Sequence, residues 1–253
     1  MPLELLTVAC LSDNYAYLLH DAGSGRTALV DAPEAAPIRA ALDAHGWTLS
    51  DILITHHHDD HVAGLAELRG AARVIGARAD AHRLPPLDLA VAPGAPLEVL
   101  GEPVEVIDVP GHTLGHIAFH FPHSAMAFTA DSLMAMGCGR LFEGSAEQMW
   151  DSLRRLRDLP GRTLICSGHE YTQSNARFAL TIEPDNVALR DRAADIDAAR
   201  AQGRATVPSR LSEERATNPF LRADTLKLQQ AIGLEGQPPA QVFAEIRRRK
   251  DRF

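Results

Sequence analysis

Thr55-His56-His57-His58-Asp59-Asp60-His61 is the stretch on which the reading of this chain turns. It follows Asp51-Ile52-Leu53-Ile54-Thr55, a short apolar run with the character of a buried strand. Residues two apart on an extended chain point to the same side, so His56 and His58 can grip one cation together. His57 points the other way and is expected to be structural. Asp60 and His61 come where the chain begins to turn, so this pair addresses a second cation beside the first. Asp59 offers the same carboxylate, but position favours Asp60. Two imidazoles followed by a carboxylate–imidazole pair suit zinc, iron or manganese, not calcium.

Three further segments repeat the pattern of a strand end followed by a metal-binding residue type. Pro110-Gly111-His112-Thr113-Leu114-Gly115-His116 sets His112 on a glycine-flanked turn. Phe128-Thr129-Ala130-Asp131-Ser132 ends a strand on a carboxylate that is able to bridge two cations. Cys166-Ser167-Gly168-His169-Glu170 ends another on His169. Each segment alone is weak, and a solvated polar loop accounts for any one of them; four in one chain indicate a two-metal hydrolase.

The bulk properties leave room for that chemistry and close off others. The 253 residues are 45% hydrophobic, enough for a substantial core, and carry 33 acidic against 25 basic residues for a net charge of −8. That balance argues against broad nucleic-acid or anionic-membrane binding, which need concentrated positive charge. No run approaches the roughly 20 apolar residues of a membrane span, and the N-terminus lacks the basic and apolar regions of a signal peptide. Cys10, Cys138 and Cys166 are odd in number and far apart, which predicts neither disulfides nor a thiolate zinc knuckle, and a reducing cytoplasmic setting. Cys138 has no histidine and orienting partner evident around it and is expected to be a small loop residue, not a nucleophile.

The patterning predicts strands at Leu3–Ala9, Tyr15–His20, Thr27–Asp31, Asp51–Thr55, Val104–Val109, Ile117–Phe121, Ala125–Thr129 and Thr163–Cys166. Helices are predicted at Ala35–His45, His61–Leu68, from Ala146 to the stop at Pro160-Gly161, and then at Thr172–Leu180, Asp185–Ala201, Ala223–Ile232 and Pro238–Lys250. The chain therefore divides near residue 171 into an α/β part, 1–171, and a helical part, 172–253.

THHHDDH, PGHTLGH, FTADSL and GHEYT together resemble the metallo-β-lactamase superfamily, and within it the glyoxalase II (hydroxyacylglutathione hydrolase) family. The resemblance runs almost end to end, taking in SDNYAYL near residue 12, GCGRLFEGSAEQM from residue 137, NPFLR from residue 218 and the terminal RRRKDRF. It implies an αββα sandwich with the metals at one edge, followed by a C-terminal α-helical domain that binds the glutathione substrate. It implies that His56, His58 and His112 hold one metal and Asp60, His61 and His169 the other, with Asp131 bridging. The metals would be two divalent ions per chain, zinc first, with iron or manganese as alternatives. His116 would stand behind the ligands. Arg140, Tyr171, Arg247 and Lys250 would hold the glutathione part. Arg140 stands where many members have lysine and Phe142 where some have tyrosine; neither departure touches a ligand.

The implied reaction is hydrolysis of S-(2-hydroxyacyl)glutathione, chiefly S-D-lactoylglutathione, to D-lactate and glutathione by a metal-bridging hydroxide, the second step of methylglyoxal detoxification. Asp60 would also orient the hydroxide, so Asp60 and Asp131 are the catalytic carboxylates. The glutathione thiolate leaves with little acid help because its pKa is moderate. A monomer is expected. The alternative is a persulfide dioxygenase, a relative with a single iron and a similar GCGR loop but without the long helical domain. A β-lactamase is disfavoured because Asp131 stands where many dizinc lactamases have cysteine. A non-catalytic module with a structural metal is disfavoured because such sites are usually closed and mononuclear. Arg247 and Lys250, three apart, share one face of the last helix, while Arg248 and Arg249 turn aside.

Overall fold

Alternating and continuous apolar runs in the first hundred residues pair into one mixed sheet in the computed structural model, which describes residues 2–253. Strands β1 (Glu4–Cys10), β2 (Asn14–Asp21) and β3 (Arg26–Val30) form an antiparallel meander. Helix α1 (Ala35–His45) then carries the chain to β4 (Thr48–Leu53), which runs parallel to β3. Ile38 and Leu42 face the core from α1, and Gly46 in the left-handed conformation, φ 66°, ends it. Burying each of those aliphatic side chains contributes about 1.5–3 kcal/mol, and a glycine at that φ carries no Cβ penalty.

Two one-turn helices, α2 (Asp59–Val62) and α3 (Leu65–Leu68), stand where one continuous helix over His61–Leu68 was expected. The interruption has a packing cause. The Gly64 amide donates to Ala32 O at 2.8 Å, and a Cβ on Gly64 would lie 2.7 Å from Ala35 N. The backbone is thus drawn against the segment after β3. Strands β5 (Arg73–Ala77) and β6 (Leu89–Val91) complete the six-stranded sheet in parallel register. Neither was expected. A short hairpin of β7 (Glu98–Val99) and β8 (Glu102–Pro103) leads into a second antiparallel meander, β9 (Glu105–Asp108), β10 (Ile117–Phe121) and β11 (Met126–Ala130). Tyr17 of β2 meets Phe128 of β11 edge to face at 5.5 Å, and Phe121 meets Phe128 at 5.6 Å. These rings are fully or almost fully buried and form the centre of the layer between the two sheets. Residues 1–108 and 115–130 form this first compact unit.

The second compact unit comprises residues 109–114 and 131–253. Its hairpin of β12 (Leu133–Met134) and β13 (Gly137–Cys138) precedes helix α4 (Ala146–Arg157). A capping box starts α4: Ser145 Oγ accepts from Gln148 N at 3.2 Å, and Ser145 N donates to Gln148 Oε1 at 2.9 Å. Such a cap contributes about 1 kcal/mol. Strand β14 (Leu164–Ser167) follows, then α5 (Thr172–Ile182) and α6 (Val187–Ala201). Strand β15 (Ser209–Arg210) pairs antiparallel with β14, and α7 (Leu211–Thr217), α8 (Leu226–Ile232) and α9 (Pro239–Lys250) end the chain.

Helix α7 escapes apolar periodicity for a physical reason: its buried face is Leu211, Glu214 and Thr217, and the middle residue is a fully buried carboxylate. Glu214 accepts from Met136 N at 2.8 Å, Ser209 Oγ at 2.7 Å and Asn218 Nδ2 at 3.1 Å, and pairs with Arg192. The apolar core of this unit includes Met136, Ala176, Ala179, Leu189 and Ile196, with Phe178, Phe220 and Phe243 as a ring cluster. Among the described residues, no helix is long and apolar enough to cross a membrane.

Candidate metal centre

Beyond Leu53 the chain stays extended through His58, whose φ and ψ are −63° and 143°. His56 Nε2 and His58 Nδ1 therefore converge, 3.2 Å apart. Two nitrogens on a tetrahedral zinc with Zn–N of about 2.05 Å would lie about 3.3 Å apart. The spacing thus fits a shared cation. His57 projects away and meets the Asp80 carboxylate at 2.8 Å, as its structural role requires. Arg83 Nε holds the other oxygen of Asp80 at 2.6 Å.

Helix α2 begins at Asp59, which is exposed, and brings Asp60 and His61 onto its first turn. Asp60 Oδ2 lies 3.9 Å from His61 Nε2 and accepts from Asn14 Nδ2 at 3.0 Å. Asp60, not Asp59, is accordingly the carboxylate held in place. His116 is fully buried and lies parallel to the His56 ring at 4.5 Å, behind the ligand segment.

In the second unit the glycines set the geometry. A Cβ on Gly111 would come within 2.7 Å of Met149 Cβ, and one on Gly139 within 2.0 Å of Asp131 O. Only glycine lets these strands of backbone approach so closely. His112, 3% exposed, turns its Nδ1 to Arg140 O at 2.9 Å. A carbonyl only accepts, so Nδ1 carries the proton and Nε2 presents a lone pair. Asp131 Oδ2 lies 3.4 Å from His112 Nε2 and 3.3 Å from His169 Nε2. One carboxylate oxygen thus stands at ligand-to-ligand distance from two imidazoles. The His169 ring lies flat against Tyr171, at 4.7 Å and 8°.

Residues 12–169 match the metallo-β-lactamase superfamily, and residues 170–253 match the hydroxyacylglutathione hydrolase C-terminus. Proteins named hydroxyacylglutathione hydrolase from Ruegeria pomeroyi and Cereibacter sphaeroides are each 66% identical to this chain, over 100% of both partners. The chain belongs to the hydroxyacylglutathione hydrolase family. A solved structure titled ETHE1 from Myxococcus xanthus superimposes with a TM-score of 0.62 over 99% of each chain at 24% identity, which shows the fold alone. The family match carries the metallo-β-lactamase fold with a C-terminal helical region and makes the chain an enzyme of the hydrolase branch. The persulfide dioxygenase alternative has no comparable support.

The basic residues expected at the glutathione site of this family are all in the second unit, and they are not alike. Arg247 is 5% exposed and spends its guanidinium on Cys138 O at 3.0 Å and Asp251 Oδ1 at 2.8 Å, above the Phe220 ring. It secures the loop after Asp131. Lys250 is half-buried, donates to Ser174 O and Oγ at 3.2 Å, and lies over the rings of Phe178 and Phe253. Burial pushes its ammonium down to about 8, and the charges of Arg247 and Arg140 push in the same direction. Arg140 and Tyr171 are exposed. Arg248 and Arg249 turn to Glu245, at 2.6 Å and 2.8 Å. Burial raises the Cys138 thiol to about 11, which removes it as a nucleophile at neutral pH.

Residues that touch the candidate ligands without having been singled out in the pattern include Asn14, Asp31 and Thr55. Asp31 is the one a reader could have marked, as an acid directly after the apolar run of β3.

Proposed function

We propose that this chain hydrolyses the thioester of S-(2-hydroxyacyl)glutathione, chiefly S-D-lactoylglutathione, to D-lactate and glutathione, as the second step of methylglyoxal detoxification. The observation that carries the reading is the single Asp131 oxygen flanked by His112 and His169 at 3.4 and 3.3 Å, the spacing at which one carboxylate oxygen can share a cation with each imidazole. The donor set, imidazoles and carboxylates without thiolate, suits zinc, iron or manganese, with zinc preferred.

On this reading His56, His58 and His112 would hold one metal and Asp60, His61 and His169 a second, with Asp131 available to both. Divalent cations held there would provide water activation near neutral pH and polarisation of the thioester carbonyl. Asp60, fixed by Asn14, accepts a hydrogen bond from the attacking water and aims it. The glutathione thiolate departs without a general acid. Residues 172–253 form the substrate domain that follows the catalytic part, 1–171. Lys250, Arg140 and the Tyr171 hydroxyl bind the glutathione part; the charges of Arg247 and Arg140 bear on the Lys250 ammonium, and a bound anion would relieve that repulsion. The buried, unpaired thiols suit a reducing, cytoplasmic compartment.

The test is turnover of S-D-lactoylglutathione by the purified, metal-loaded chain, followed as loss of the thioester with free thiol appearing in equal amount. Failure to turn over glutathione thioesters with both metals bound would sink the proposal.

A further inference from the structure

A carboxylate outside the ligand set reaches one of its histidines directly and a second through Thr55. Asp31 is 3% exposed and has φ 57°, a left-handed conformation uncommon outside glycine that aspartate adopts more readily than most residues. Its backbone is pinned on both sides: Asp31 N donates to Leu53 O at 2.9 Å, and Ala32 N to His61 O at 2.8 Å. The side chain is then spent entirely on the ligand segment. Oδ1 accepts from Thr55 N at 2.9 Å. Oδ2 accepts from Thr55 Oγ1 at 2.8 Å and lies 2.8 Å from His61 Nδ1.

The proton positions follow from what each group is able to donate. A carboxylate only accepts, so His61 Nδ1 carries the proton. The single Thr55 hydroxyl proton goes to Asp31, which leaves Thr55 Oγ1 as the acceptor for His56 Nδ1 at 3.0 Å. The chain His56 Nδ1–H to Thr55 Oγ1–H to Asp31 therefore fixes the second ring as well. Both rings are fully buried, with centroids 4.2 Å apart. With Nδ1 protonated, each presents Nε2 as a lone pair.

We infer that Asp31 is a positioning residue that sets His56, through Thr55, and His61, directly, in the Nδ1–H tautomer before any metal arrives. The inference rests on the metal reading of those two histidines, but its first test does not. Uniformly 15N-labelled, metal-free full-length protein is compared as wild type and Thr55→Val by two-bond 1H–15N correlation of the imidazoles. Wild type shows both rings as Nδ1–H; Thr55→Val moves His56 out of that form and leaves His61 in it. Zinc affinity is measured on the same proteins by chelator competition. Thr55→Val weakens binding, and Asp31→Asn weakens it more, by about 10- to 100-fold. Should Asp31→Asn fail to fold, the Thr55→Val pair of measurements stands alone. Wild-type rings in the Nε2–H form, or a Thr55→Val protein with an unchanged His56 tautomer, would overturn the assignment. Correct tautomers with zinc bound at neither site would instead remove the metal reading and leave the relay standing.

Discussion

The ring of Tyr171 lies on the ring of His169, 4.7 Å between centroids and 8° from parallel. The stack gives one residue two separable tasks, covering a proposed ligand and offering a hydroxyl. Tyr171→Phe keeps the cover and loses the hydroxyl, so KM for the glutathione thioester is expected to rise about 2- to 12-fold, the value of one neutral hydrogen bond. Metal content and kcat stay at wild-type values. Tyr171→Ala uncovers His169 and is expected to lower metal affinity as well. A Tyr171→Phe enzyme with wild-type KM would show that the hydroxyl touches no substrate.

Lys250 holds the pH dependence. Binding a glutathione carboxylate far from the thioester stabilises ground and transition states equally, so Lys250→Ala raises KM and spares kcat. A hydrogen bond to a charged group contributes about 1.5–3 kcal/mol, or about 10- to 150-fold in KM. With the ammonium titrating at about 8 in the free enzyme, KM should also climb about fivefold between pH 8 and 9, and Lys250→Ala should abolish the climb. Stability runs the opposite way. The folded-state value lies below the ordinary 10.5, so the buried charge costs stability below pH 8, and the cost fades as pH rises from 8 toward 10.5. Arg248→Ala, which loses only the surface pair with Glu245, is the control. Equal KM values for the two variants would refute the carboxylate role.

Glu214 carries the second unit's polar core. Removing a buried charge that pairs with Arg192 leaves an uncompensated guanidinium and orphans Met136 N. Glu214→Ala is expected to lower the unfolding free energy by about 3–5 kcal/mol. Denaturant titration measures it; a loss below 1 kcal/mol would contradict the role.

The helical tail is part of the unit that carries three of the proposed ligands. A chain ending after Leu180 loses Leu189 and Ile196 from the core around Met136, together with the Asn218 bonds to Met134 O and Gly137 O at 3.1 and 3.0 Å. Those bonds hold the hairpin directly after Asp131. The shortened chain is expected to lose cooperative unfolding in circular dichroism and part of its metal. A cooperative, fully metallated truncation would show that the hairpin stands without the tail.

Legibility followed the physics of each element. Helix α1 was readable to the residue because Ile38 and Leu42 mark its buried face and Gly46 its end. Helix α4 was readable from Met149, Leu153 and Leu156. The split between α2 and α3 was not, because its cause is a close approach of Gly64 to Ala32, Glu34 and Ala35, far earlier in the chain. The ligand segment was legible because extended chain has a period of two. Arg247 and Lys250 read as equals on one helix face; only the fold distinguishes them, by giving Arg247 a carbonyl at Cys138. Asp31 carried only its place after the apolar run of β3, since a carboxylate that orients a histidine of another segment leaves no spacing of its own in the chain.

On the proposed reading the hydrolase needs two metals held jointly through Asp131. That requirement is tested most directly by titrating zinc into metal-free protein while measuring turnover of S-D-lactoylglutathione. In the wild type the rate should plateau at two equivalents per chain, and the Asp131→Asn protein should bind both equivalents weakly and turn over slowly. A plateau at one equivalent, or an Asp131→Asn protein with wild-type rate and metal content, would contradict that requirement.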